Sequence, residues 1–281
     1  MSGDKKKILE LLNNPGKTNL FIGFETNTLS KIWQRKDDDI LAADKLISFA
    51  EFLGIKNLYN PEREKLSIKK IDLENILEEI EKKIGLKLVF KNPFPGTKGI
   101  ITSRGILNEK EIQAIYIAYK ISKIIKKQDS VLEIGAGLGR VAYYCESFGI
   151  NDYTIVDIPL SFLASGNYLG KVLNCKKIKF ESELNKRYFS KAIKLVSPEF
   201  LFKNNVDYKL VINCDSLTEI NLNVAKKYIS KILKSKYFLT INHESNKFTV
   251  NSLITNNKFI NYTRNLYWLR KGYIEEFYQF R

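Results

Sequence analysis

The stretch that most constrains this chain is Ser130-Val131-Leu132-Glu133-Ile134-Gly135-Ala136-Gly137-Leu138-Gly139-Arg140. An apolar, partly β-branched run carries an acid, then glycines at alternate positions, then a helical pattern, which predicts strand, tight turn and helix. Gly135, Gly137 and Gly139 let the backbone turn sharply and let a ligand come close to it. The usual dinucleotide fingerprint spaces its glycines G-x-G-x-x-G, and Arg140 stands where its last glycine belongs. Glu133 sharpens the difference, because a carboxylate at the mouth of the loop repels a pyrophosphate and suits a cation.

Downstream the pattern alternates between strand and helix. Leu138 to Phe148 reads as a helix ended by Gly149, and Tyr153 to Asp157 as a strand followed by Pro159 in the first turn of a helix. Asp157 lies 18 residues past Gly139, where Rossmann-like folds place a carboxylate for ribose hydroxyls. Capping the next helix is its other role. Lys177–Phe180 and Ile193–Val196 compete as the third strand. Tyr208–Asn213 is a fourth, ending in Cys214-Asp215-Ser216-Leu217-Thr218-Glu219. A helix over Asn223–Leu233 leads to a strand over Tyr237–Asn242, whose end carries His243, the single histidine, and Glu244. Phe259–Leu269 and Tyr273–Phe280, parted by Arg270-Lys271-Gly272, read as an antiparallel hairpin.

Upstream, amphipathic helices are expected over residues 4–12, 39–52 and 73–84, the last with Asp72 as N-cap and Gly85 as terminator. Leu20–Phe24 suggests a short strand, and Trp33 and Tyr59 read as packing residues. These features place a mainly helical accessory region at residues 1–91. Residues 92–105 are rich in turn formers but include Thr97, Thr102, Ser103 and Arg104. They form either a connecting loop or a segment that folds over a ligand, with Arg104 offering its fork to a carboxylate. Asn108 and Glu111 open a helix in capping-box fashion that runs to about Lys127.

Composition excludes several classes. No apolar run approaches the roughly 20 residues that span a bilayer, and the polar, basic start is not a signal peptide. Cys145, Cys175 and Cys214 are odd in number and far apart, which argues against a disulfide framework and a zinc site and points to a reducing cytoplasm. The formal charge is +15, and residues 111–281 carry most of the excess, with 26 basic against 15 acidic. Such an excess suits nucleic acid, a membrane surface or a phosphate-bearing substrate. The lysines, however, are scattered with no run longer than three, as an Ile-, Lys- and Asn-rich composition produces without any anionic partner.

The Val131–Gly139 stretch resembles the first motif of class I S-adenosylmethionine-dependent methyltransferases, E/D-x-G-x-G-x-G. Together with Tyr153–Pro159, Leu210–Ile220 and the Gly99–Gly105 segment, it is similar to the sugar O-methyltransferases of bacterial surface-polysaccharide clusters. The likeness covers about residues 92–281. It implies an α/β fold: a Rossmann-like, mostly parallel sheet with a C-terminal antiparallel hairpin. S-adenosylmethionine is the implied cofactor, contacting Glu133, Gly135, Ala136, Gly137, Gly139, Asp157, Ile158 and Asn213, with Arg104 for its carboxylate. The implied reaction is methyl transfer to a sugar or glycan hydroxyl, which needs a base.

His243 is the first candidate base, since it sits at a strand's C-terminal end, where open α/β sheets bind ligands, and imidazole moves protons near neutral pH. Asp215 and Glu219 are rival bases or acceptor ligands. Asp215, Glu219 and Glu244 together suggest a metal, but no metal-ligand spacing supports one, and none is expected. Two other functions compete. An RNA ribose methyltransferase accounts for the charge, although no RNA-binding motif is present and Asn213-Cys214-Asp215-Ser216 is not a base amino-methylation signature. A non-catalytic cofactor-binding protein is the other. The expected partner is a small-molecule or glycan acceptor, with nucleic acid disfavoured and peripheral membrane contact left open.

Overall fold

A computed structural model describes residues 4–14, 38–55, 62, 72–184, 191–254 and 259–281. The strand expected at 20–24, Trp33 and Tyr59 lie outside the described residues. The chain divides into two compact units, residues 1–120 and 121–281, whereas the sequence suggested a boundary at 91/92.

In the first unit, α1 (Lys5–Asn13) is capped by Asp4, whose side chain accepts from the amides of Lys6 and Lys7. Helix α2 (Asp38–Phe52) buries Ala42, Ala43, Leu46, Ile47, Phe49 and Ala50. Helix α3 (Leu73–Ile84) buries Ile76, Leu77, Ile80 and Ile84, one face at helical spacing. Asp72 caps its start, and Gly85 ends it in the left-handed conformation at φ 71°. The turn-rich segment forms a small antiparallel hairpin of β1 (Ile100–Thr102) and β2 (Gly105–Leu107). Helix α4 (Glu109–Ile124) follows, with Asn108 accepting from the amides of Lys110 and Glu111. Buried Lys45 of α2 pairs with Glu109 at 2.7 Å.

The second unit is built on one sheet. Its strands are β3 (Val131–Ile134), β4 (Tyr153–Val156), β5 (Ile178–Phe180), β6 (Ile193–Val196), β7 (Leu210–Cys214), β8 (Tyr237–His243), β9 (Phe259–Leu266) and β10 (Tyr273–Phe280). They lie in the order β5-β6-β4-β3-β7-β8-β10-β9. All pairings are parallel except β8 with β10 and β10 with β9. The two segments that competed as the third strand are both strands, side by side. The fold is therefore the mostly parallel, Rossmann-like α/β sheet with an antiparallel hairpin that the resemblance implied.

Strands β3, β4 and β6 are buried at every residue, as a parallel sheet covered on both faces requires. Helices α5 (Arg140–Ser147), α6 (Pro159–Val172), α7 (Pro198–Lys203), α8 (Leu222–Ile232) and α9 (Val250–Ile254) supply the cover. On one face Leu132, Ile134, Val156, Val196 and Val211 pack with Ala225, Tyr228, Ile229 and Ile232 of α8 and Val250 and Ile254 of α9. From β3 the chain moves to β4, then to β5 at the edge and back to β6 between them, and the second half starts at β7 on the opposite side of β3. The strand order thus reverses between β3 and β7. A crevice forms at the C-terminal ends of strands where such a reversal occurs.

Candidate active site at the switch point

The glycine loop leaves β3 at this reversal. Gly135, Gly137 and Gly139 have φ of 74°, 58° and 82°, conformations that side chains disfavour. A Cβ on Gly135 would stand 2.2 Å from the Ser216 hydroxyl, and one on Gly139 would stand 3.0 Å from Leu169 of α6. The first glycine therefore admits the loop after β7, and the third lets α5 and α6 approach. Gly139 caps α5 without any side-chain hydrogen bond. Helix N-termini of this kind offer N–H groups to ligands.

Two acids flank the loop. Glu133 is 2% exposed and accepts a 2.8 Å hydrogen bond from the Tyr153 hydroxyl. Burial pushes its carboxyl up to about 8, against the Tyr153 bond that lowers it and with the charge of Asp157 adding to the rise. The acid expected as a charge at the loop's mouth is thus buried, in surroundings that favour its neutral form. Asp157 follows β4 and accepts from the amides of Ile158, Gly137 and Ala136 and from the Ser161 hydroxyl. Burial outweighs these bonds and raises it to about 6. Asp157 so touches the glycine loop itself, and Ile158 beside it is 59% exposed, an apolar surface open to a ligand.

Asn213 is fully buried and spends its amide inside the protein. Its Nδ2 donates to the Ile134 carbonyl at 2.8 Å and to Ser216 at 2.6 Å, while Oδ1 accepts from Asn242 at 2.9 Å and from the Leu217 amide at 3.3 Å. It was expected among the cofactor contacts; what its side chain does here is lock the ends of β3, β7 and β8 together. Arg104 differs similarly from the carboxylate fork expected of it. In the first unit its Nε and Nη2 donate to Glu81 at 2.9 Å each, and Nη1 donates to Glu74 at 2.5 Å. Its fork already grips protein carboxylates and holds Glu81 below the usual range, whereas Glu74 is held down first by the Ser103 hydroxyl and amide and then by Arg104.

Across the switch point, the ends of β7 and β8 gather a second cluster. One ligand atom each of Asp215, Glu219 and His243 lies within 4.8 Å of the others, a proximity that their sequence spacing does not reveal. His243 Nδ1 is 2.7 Å from the Ser245 hydroxyl, which orients the ring, and Nε2 faces Glu219 Oε1 at 3.9 Å. Burial, then the like charge of Asp215, raises the Glu219 carboxyl; His243 and Arg270 oppose the rise. Glu244 points elsewhere and takes both terminal nitrogens of Arg264, at 2.7 and 2.6 Å.

Three residues of this cluster were not among the expected site residues: Ser245, Arg270 and Tyr273. Arg270 donates to Asp215 at 2.6 Å, Tyr273 donates to Asp215 at 3.0 Å, and Arg270 also donates to the Tyr273 hydroxyl while lying 3.8 Å over its ring. The ring meets His243 edge-on at 5.4 Å. Asp215 itself has φ 62°, the one positive value among described non-glycine residues. Strained backbone is tolerated where surrounding contacts enforce it, often at functional sites.

No family model matches the chain, and no curated protein does. Solved structures are similar to it. Magnesium protoporphyrin IX methyltransferase from Synechocystis PCC 6803, with S-adenosylmethionine bound, aligns at TM-score 0.44 and 11% identity over 61% of this chain and 80% of its own. TehB from Haemophilus influenzae gives 0.42 and 14%, over 64% and 72% of the two chains. A TehB-like S-adenosylmethionine-dependent methyltransferase from Corynebacterium glutamicum gives 0.42 and 11%, over 58% and 86%.

Proposed function

We propose that the chain is an S-adenosylmethionine-dependent O-methyltransferase whose acceptor is a hydroxyl of a sugar or glycan-related molecule. The observation that carries this reading is the pairing of two chemistries at one switch point. The glycine loop and Asp157 stand at the ends of β3 and β4; Asp215, Glu219 and His243 stand at the ends of β7 and β8.

The first half suits the cofactor. The loop permits close backbone approach, the start of α5 carries no side-chain cap, and Asp157 holds a carboxylate beside the loop for ribose hydroxyls. Glu133, whose neutral form burial favours, would be drawn toward its charged form by a cation bound beside the loop. When bound, S-adenosylmethionine supplies a methyl group activated by its sulfonium. The chain's own residues then orient the acceptor and remove its proton. His243 takes that proton at Nε2, the nitrogen that Ser245 does not touch. Asp215, fixed by Arg270 and Tyr273, and Glu219 accept hydrogen bonds from neighbouring acceptor hydroxyls.

Calorimetric titration with S-adenosylhomocysteine tests the cofactor half. Wild type is expected to bind at one site. Asp157→Ala is expected to bind more weakly by roughly 10- to 150-fold, since a hydrogen bond to a charged group contributes about 1.5–3 kcal/mol. No binding by wild type overturns the proposal. For the acceptor half, His243→Ala should keep that affinity and lose methyl transfer from labelled S-adenosylmethionine to a panel of nucleotide sugars and polysaccharides. Full turnover in this variant removes the histidine from the mechanism.

A further inference from the structure

We infer that β9 is the seam of a two-fold homodimer in which the β9 strands of two copies pair antiparallel about Thr263 and join two sheets into one. The sheet has two edges, and they differ. The β5 edge is three residues long, enclosed by a 3-10 turn on either side, and carries Lys179. Short length, flanking turns and a lysine are how single chains guard an edge against further pairing. The β9 edge is eight residues long, and among the described residues no strand lies outside it.

Most of the usual guards are missing from β9. It has no proline and no lysine, and its one charge, Arg264, is already matched by Glu244 and by Glu276 at 3.1 Å. The only irregularity, opposite Gln279 and Phe280, falls at its start and leaves Asn261–Leu266 in regular register with β10. Six of the eight residues are exposed, including Ile260 at 61% and Leu266 at 78%. A lightly guarded edge of this length in a folded protein calls for a partner strand.

The order of residues along β9 says which partner it takes. An axis through Thr263 sets Thr263 opposite its own copy, Tyr262 opposite Arg264 and Asn261 opposite Asn265, all within the regular part of the strand. Threonine faces threonine and amide faces amide, both favourable cross-strand neighbours. An axis one residue along, through Arg264, would instead oppose two guanidinium groups. Self-complementarity about one axis is what an isologous dimer requires.

The test is made on the full chain in a Cys175→Ser background, because Cys175 is the exposed cysteine among three free ones. Light scattering should show a dimer. Thr263→Cys should form an intermolecular disulfide in air, since directly opposed Cα atoms lie about 4.5–5.5 Å apart. Asn261→Cys should not, because its copies stand about 14 Å apart along the seam. Thr263→Lys, which sets two ammonium groups on the axis, should be a monomer with an unchanged far-ultraviolet circular dichroism spectrum. A monomeric wild type overturns the inference. So does a dimer in which Thr263→Cys fails to cross-link, or one in which Asn261→Cys cross-links as readily. A Thr263→Lys variant that remains dimeric also overturns it, and so does recovery of β9 bound to a different protein in place of its copy.

Discussion

Glu133 shows how burial shifts the titration of one acid. Its carboxyl climbs from 4.5 in the unfolded chain to about 8 in the fold, so the native state keeps a proton that the unfolded chain has lost across that interval. Its contribution to stability is therefore intact below about pH 4.5 and declines as pH rises toward 8. Glu133→Gln keeps a neutral group at the position and should flatten that decline. At pH 8 the variant should exceed wild type by on the order of a few kcal/mol, and near pH 4.5 the two should converge. Urea melts at the two pH values measure this, and parallel curves would show that the acid is ionised throughout. At the same scale, the side-chain donors of Asn213 and Arg104, both expected at the cofactor, are engaged within the protein by Ile134 and Ser216 and by Glu74 and Glu81.

The turn after β3 separates two costs of replacing a glycine. Gly272 has φ 86° with no atom within 4 Å of a Cβ, so Gly272→Ala should lose only the left-handed backbone term, about 1–2 kcal/mol. Gly135→Ala carries a similar term at φ 74° and also drives its methyl into Ser216 at 2.2 Å, so it should melt at a lower temperature than Gly272→Ala and lose S-adenosylhomocysteine binding. Equal melting temperatures would mean that the Ser216 loop yields freely. This loop was legible in the sequence because its chemistry is local: strand, glycines and helix follow one another within eleven residues. So were the helix over 73–84 and the positions of Asp157 and His243 at strand ends, each following from a local pattern. The β1–β2 hairpin was not, since three-residue strands carry too little periodicity to register. Arg270 and Tyr273 were hidden for another reason. They reach Asp215 because β10 lies beside β8, and that adjacency comes from sheet order rather than from spacing along the chain.

For the molecule as a whole, a charge of +15 invites an anionic macromolecule, yet the lysines are scattered and no described helix is long and apolar enough to cross a membrane. A dedicated RNA-binding face releases counterions, so its affinity falls steeply with salt. Filter binding of a short RNA across a salt series should give weak affinity with a shallow slope, and a steep slope with tight binding at physiological salt would favour RNA ribose methylation over a glycan acceptor. Stability and activity also meet in a single backbone angle. Asp215 sits at φ 62°, where glycine rests without strain and asparagine does so more readily than most residues. The strain is borne by the folding equilibrium of the whole unit, while the benefit stays in one corner of the sheet. A laboratory selection for heat tolerance that omits a turnover screen should therefore tend to replace this aspartate early, and under the function proposed above its survivors would be sturdier proteins without an acceptor ligand at that corner.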